Sequence, residues 1–159
     1  MTRRPIRVLF VCLGNICRSP LAEGAFRQAA TLAGAGEAFL VDSAGISDFH
    51  AGEPPDSRAV RIARERGYDI SARTSRPVRA ADFTAFDYLL AMDRSNLAAL
   101  SRLRPPAATA WSALLLDAAL GRAEDVPDPY TGTAGDFTRV AELVEEAAQA
   151  LVPRLIAGR

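Results

Sequence analysis

The sequence predicts an α/β fold, a single-domain parallel four-stranded sheet with helices on both faces, and three observations carry the prediction. Four short apolar runs rich in branched and aromatic residues lie at 6–11, 39–42, 88–92 and 114–116, each with the length and composition of a buried strand. Between and after them run segments whose apolar residues recur at helical spacing, and strands alternating with helices build a parallel sheet covered on both sides. The third observation is the position of Cys12 at the end of the first run, because sites in such sheets form at the carboxyl ends of strands.

The elements follow in order. After the first strand, Leu21, Ala25, Phe26, Ala29, Leu32 and Ala33 mark a helix over about 20–33, with Ser19 as its cap, Pro20 at its first position and a stop at Gly34 or Gly36. The strand at 39–42 gives way to a long polar loop over 43–55 that carries Phe49 and His50 and overhangs the first loop. Asp56 caps a helix that holds Val60, Ile62 and Ala63 and ends at Gly67. Residues 71–78 are irregular, and 80–83 makes a helical turn. Beyond the strand at 88–92, Asp93, Ser95 and Asn96 open a helix through Leu97, Leu100 and Leu103 that stops before Pro105 and Pro106. A loop over 123–133 follows the last strand, and a final helix covers about 136–156, kinked or shortened by Pro153.

The chain of 159 residues is expected to form one domain, 1–159, with a substantial core. Its apolar fraction of 49% excludes disorder, and the apolar runs are too interrupted for a membrane span. Nineteen basic residues, all arginine, balance 19 acidic ones, so no overall field recruits nucleic acid or a membrane surface. Arg3 and Arg4 precede an apolar run, but Asn15 and Arg18 interrupt it too early for an export signal, and a cytoplasmic protein is expected. Two cysteines on one loop make no disulfide framework, and His50 has no metal-ligand spacing around it, so neither a metal nor another cofactor is expected.

The chemistry concentrates between Val8 and Glu23. Gly14 and Asn15 tolerate positive φ, so Leu13, Gly14, Asn15, Ile16 and Cys17 can curl with their amides inward, a nest for an oxyanion at the end of the first strand. The helix that begins there also favours anions. Arg18 can bring a planar fork of donors to two phosphate oxygens, which makes the stretch a phosphate loop. Cys12 makes it more than a binding loop, because a thiolate is a nucleophile. Lowering a thiol pKa by roughly three units takes about 4 kcal/mol, of which a helix terminus supplies at most about 2. Arg18, the inward amides and the Ser19 hydroxyl must supply the remainder. The ordinary alternative for Cys12 is a small buried hydrophobe closing a strand.

A thiolate attacking phosphorus needs no base, yet the departing phenolate or alkoxide needs a proton. Asp128 is the candidate acid: Pro127 and Pro129 stiffen its backbone and Tyr130 adds an aromatic wall. On these residues alone an acid and an ordinary Asp-Pro surface turn are equally supported.

The run Val-Cys-Leu-Gly-Asn-Ile-Cys-Arg-Ser-Pro-Leu-Ala-Glu, from Val11 to Glu23, resembles the signature loop of the low-molecular-weight protein tyrosine phosphatases. Asp128-Pro129-Tyr130 resembles that family's acid loop, and Asp42-Ser43, Ser47-Asp48, Arg58-Ala59, Phe86-Asp87-Tyr88 and Met92-Asp93 resemble further stretches in order. The resemblance implies that Cys12 is the nucleophile, that Arg18 binds phosphate and that Asp128 is the acid, in two steps through a phosphocysteine. It implies that Ser19 stabilises the sulfur as a leaving group, that Asn15 and Ser43 hold the loop in shape, and that Phe49 and Tyr130 flank the substrate ring. No metal is required. Phosphotyrosine proteins become the expected substrates, with a tyrosine kinase among the candidate partners.

Three positions depart from the family pattern. Thr131 stands where a second aromatic residue is common. Arg73 stands near a frequent histidine that braces the loop, and it cannot accept a hydrogen bond. Phe49 replaces a frequent tryptophan. Among rivals, a thiol-coupled arsenate reductase needs cysteines downstream of Cys17, and there are none. Protein arginine phosphatases typically carry threonine where this chain has Ile16, and a non-catalytic phosphate-binding module would lack Cys12 or Asp128. Cys17 either fills the loop wall or resolves an oxidised Cys12 as a reversible disulfide.

Overall fold

Strand β1, Ile6–Cys12, is the axis of the molecule. The computed structural model describes residues 3–159. Val8, Leu9, Phe10 and Val11 are all fully buried, so both faces of this strand lie in core, as its unbroken apolar composition predicts. On one side β1 pairs in parallel with β2, Phe39–Gly45, and on the other with β3, Tyr88–Ala91, which pairs with β4, Trp111–Leu114. The sheet order is therefore β2-β1-β3-β4. Alternation along β1 separates two cores. Val8, Phe10 and Cys12 face one that includes helices α1 (Arg18–Leu32), α2 (Ser57–Glu65) and, towards the C-terminus, α6 (Ala134–Ala157). Leu9 and Val11 face the other, formed with α3 (Asp82–Ala85) and α4 (Arg94–Leu103). Helices cover both faces, as expected.

The local grammar holds at most helix ends. Asp56 caps α2 through the Arg58 amide, Asp93 caps α4 through the Asn96 amide, and Thr133 with Asp136 forms a capping box on α6. Four expectations need correction. Ser19 is not the cap of α1: the helix begins at Arg18 with Cys17 as its cap residue, and the Ser19 hydroxyl turns inward to other partners. Pro20 accordingly sits at the third helical position, where its missing N–H still has no intrahelical acceptor to lose. Strand β2 continues through Ser43, Ala44 and Gly45, which pair with Phe10, Val11 and Cys12 despite poor strand propensity. The last strand is Trp111–Leu114 rather than 114–116, and Leu115–Leu120 forms a further helix, α5. The apolar run crosses that boundary without a break, and Trp111 on the outer strand is half-exposed, so hydropathy alone misplaces it. Finally, of the two effects expected of Pro153, shortening does not occur, because α6 runs on to Ala157. Both Pro153 and Gln149, whose carbonyl it leaves without the usual intrahelical donor, are exposed residues.

Candidate active site

The loop between β1 and α1 is shaped from outside. Its carbonyls are taken by surrounding elements: Ile46 N–H donates to Cys12, Ser47 N–H to Leu13, Asp56 N–H to Ile16 and Leu21 N–H to Cys17, at 2.9–3.1 Å. The amides of Gly14, Ile16, Cys17 and Arg18 have no protein acceptor among the described residues. They are therefore free to meet the oxygens of an anion.

Asn15 is the keystone. Its φ of 56° is the only positive value at a non-glycine position among the described residues, and an Asn tolerates it because its side chain bonds locally. Oδ1 accepts from the Arg76 amide at 3.0 Å, which fixes the amide orientation, so Nδ2 donates to Ser19 Oγ at 2.8 Å and Ser43 Oγ at 3.1 Å. The Asn15 carbonyl accepts from Ser75 Oγ at 2.6 Å. With its oxygen already accepting from Asn15, Ser19 directs its proton to Cys12 Sγ, 3.0 Å away, and the Asn15 N–H reaches the same sulfur at 3.3 Å. Hydrogen bonds of this kind are stronger to a charged acceptor than to a neutral one.

Gly14 does not use the left-handed freedom expected of it. A Cβ at Gly14 would lie 3.1 Å from His50 Cδ2, so glycine lets the overhanging loop approach closely without displacing the His50 ring. Gly45 likewise has no room for a side chain, with the Leu13 carbonyl 3.0 Å from where a Cβ would stand.

Behind Ser43 lies a carboxylate that sequence reading left without a role. Glu23 is fully buried in α1, accepts from Ser43 Oγ at 2.7 Å and pairs with Arg73 Nε at 2.8 Å and with Arg27. Burial pushes its carboxyl above the usual range, partly offset by Arg27, Ser43 and Arg73. Arg73 also pairs with Asp42, while Asn15 Oδ1 is met by the Arg76 main chain. Arg73, which has donors only, thus braces the site through Glu23 and Asp42 rather than through Asn15.

Arg18 is buried, and its Nη1 donates to Asp93 Oδ2 at 2.7 Å and to the Val126 carbonyl at 2.9 Å. One side of the fork is anchored, which leaves the Nη2 side for an oxyanion. Asp93 reads from the sequence as a helix cap and as part of the Met92-Asp93 stretch; its second oxygen orients Arg18. Across the cleft Asp128 is half-exposed at the rim, with Oδ1 accepting from the Tyr130 amide at 3.1 Å and Oδ2 lying 3.8 Å from Arg18 Nη2. A cavity of about 350 Å³ brings Cys12, Ile16, Cys17, Arg18 and Asp128 together with Phe49 and Tyr130. Ser47 and His50 also line it; in the sequence they stand out only within the Ser47-Asp48 stretch and the Phe49-His50 pair. Cys17 is buried, and that burial, with the Asp56 carboxylate next in effect, pushes its thiol well above the ordinary range.

Fold and loop define a class: an α/β protein with a cysteine at the centre of an anion-binding loop on its first strand. The family model described as low molecular weight phosphotyrosine protein phosphatase matches residues 7–158, and the chain belongs to that family. It is 39% identical over 148 residues to the low molecular weight protein-tyrosine-phosphatase YfkJ of Bacillus subtilis, covering 92% of this chain and 94% of that protein. The crystal structure of YfkJ superposes with a TM-score of 0.91 at 36% identity, covering 100% of this chain and 99% of that one. A protein tyrosine phosphatase from Entamoeba histolytica, solved with Hepes in its active site, gives 0.90 at 37% identity over 96% of this chain and 98% of that one.

Proposed function

We propose that this protein hydrolyses phosphotyrosine in proteins through a phosphocysteine intermediate. The observation that carries the reading is the Cys12 sulfur, which receives the Ser19 hydroxyl and the Asn15 N–H on the floor of a cavity that Arg18 and Asp128 share. In the first step Cys12 attacks phosphorus, the free amides and the Nη2 side of Arg18 stabilise the equatorial oxygens, and Asp128 protonates the departing phenol. In the second, Asp128 as its carboxylate takes a proton from water as it attacks the phosphocysteine, and Ser19 stabilises the sulfur as it leaves. Phe49 and Tyr130, both exposed at the cleft mouth, suit the two sides of an aromatic ring. Ile16 in the cavity wall favours phosphotyrosine over phosphoarginine.

The proposed partners are phosphotyrosine proteins, a tyrosine kinase among them. A cytoplasmic setting suits two free cysteines on a loop that works reduced. No helix among the described residues is long and apolar enough to cross a membrane.

The test is hydrolysis of an aryl phosphate, a phosphotyrosine peptide and a phosphoarginine peptide by the wild type, Cys12→Ser and Asp128→Ala. Expected are abolition of turnover at Cys12, a loss of about a hundredfold or more at Asp128, and preference for phosphotyrosine. A wild type inactive on all three substrates while binding phosphate would overturn the assignment.

A further inference from the structure

Residues 127–132 carry the proposed acid, yet they are held by little. Among the described residues, one hydrogen bond reaches this segment from elsewhere in the chain: Arg58 Nη2 donates to the Tyr130 carbonyl at 2.9 Å. Tyr130 is also the residue whose N–H holds Asp128 Oδ1 at 3.1 Å. The same residue is gripped by Arg58 at its carbonyl and grips the acid at its amide.

Arg58 is itself fixed. Its Nε and Nη2 engage the two oxygens of Asp56 at 3.0 and 2.8 Å, fork on fork, and its guanidinium lies over the Phe137 ring in the first turn of α6, 4.5 Å from the centroid. Asp56 in turn donates its amide to the Ile16 carbonyl of the phosphate loop at 2.9 Å. A continuous path therefore runs from Ile16 through Asp56, Arg58 and Tyr130 to Asp128. It spans the cleft from the loop that holds the nucleophile to the group that protonates the leaving oxygen.

We propose that Arg58 is the positioning residue for Asp128, a strut that sets the acid's reach over the phosphate loop. The proposal rests on Asp128 being the acid. Arginine suits the place because one planar fork serves the Asp56 carboxylate and the Tyr130 carbonyl together, whereas an ammonium would have to choose between them. Proton donation matters most when the leaving oxygen is strongly basic, so a displaced acid is felt selectively on poor leaving groups.

The experiment compares wild type, Arg58→Met, Arg58→Lys, Asp128→Ala and the double variant Arg58→Met/Asp128→Ala. The measurements are kcat/KM on p-nitrophenyl phosphate and phenyl phosphate, and inhibition by inorganic phosphate. Arg58→Met is expected to lose about tenfold on phenyl phosphate and about twofold on p-nitrophenyl phosphate. Its phosphate inhibition constant should stay within about twofold of wild type, because Arg58 makes no hydrogen bond to the phosphate loop and the Asp56 amide that meets Ile16 remains. Arg58→Lys should show the same selectivity at smaller size, and Arg58→Met should add nothing in the Asp128→Ala background. An equal loss on both substrates, a weakened phosphate site or full additivity with Asp128→Ala would overturn the strut. If Asp128→Ala steepens the leaving-group dependence and Arg58→Met does not, the strut fails alone. If Asp128→Ala leaves that dependence unchanged, the acid assignment fails and the strut with it.

Discussion

Asp93 binds Arg18 through one carboxylate oxygen at 2.7 Å and caps α4 with the other, which accepts from the Asn96 amide at 2.7 Å. One side chain thus orients the phosphate-binding guanidinium and starts a helix on the opposite face of the sheet. Asp93→Ala should weaken inhibition by inorganic phosphate about tenfold and cost about 1 kcal/mol or more of stability through the lost cap. Phosphate titration and urea unfolding check the two halves. Unchanged phosphate affinity would mean that the Val126 carbonyl alone suffices to orient Arg18.

Ser19 has its oxygen occupied by Asn15 Nδ2 and its proton on Cys12 Sγ. Ser19→Ala should therefore slow release of the sulfur from phosphorus more than its formation, with turnover falling about tenfold or more. Rapid-quench experiments on radiolabelled substrate should trap more covalent phosphoenzyme than in wild type. A turnover loss with no accumulation would move the role of Ser19 to the first step.

Asp42 bears on acid stability. Burial alone would raise its carboxyl pKa, but the Ser43 amide and the guanidinium groups of Arg73 and Arg76 outweigh it and hold the group below its ordinary value. Its contribution is then fully present above the unfolded-chain value of about 3.9 and is lost as pH falls through the lower native one. Asp42→Asn should destabilise the protein by about 2 kcal/mol at neutral pH, and the gap from wild type should close as pH drops below about 4. Denaturant unfolding across that range is the measurement. A gap independent of pH would assign the loss to packing.

The two thiols should differ in reactivity. Cys17 is buried beside the Asp56 carboxylate and held protonated, so brief iodoacetamide treatment at neutral pH should label Cys12 and reach Cys17 only after denaturation. Under mild peroxide, Cys12 should become a sulfenic acid and condense with the Cys17 thiol, releasing water and forming a disulfide that added thiol reverses. Mass spectrometry that finds over-oxidised Cys12 and no linkage would leave Cys17 as a wall residue.

The parts of the molecule legible in the sequence are those written in local code. β1, β3 and the helices that carry strong apolar periods stand within a few residues of expectation, and Cys12, Arg18, Asp128, Phe49 and Tyr130 line one cavity as the motifs predict. What stayed hidden is pairing between distant side chains. A helix-capping aspartate has the same local sequence whether or not its other oxygen meets an arginine 75 positions earlier, as Asp93 does. Glu23 looks like an ordinary charge in the first turns of a helix, and only the packing of β2 beside α1 brings Ser43 to it. Arg58 stands out in the sequence only within the family-like pair Arg58-Ala59, and nothing local points to its Tyr130 partner, 72 positions away. The error at 111–120 has the opposite origin: two elements of different kind share one apolar run, and composition carries no boundary between them.

The nucleophile grows from a strand hydrogen-bonded on both sides, while the acid sits in an irregular segment at the rim. The two halves of the chemistry therefore belong to opposite ends of the molecule's hierarchy of local opening. Amide exchange should be slowest along β1 and fast around Tyr130. On warming, catalysis of poor leaving groups should decline while the sheet is still intact, because the acid loosens long before the thiol's scaffold does.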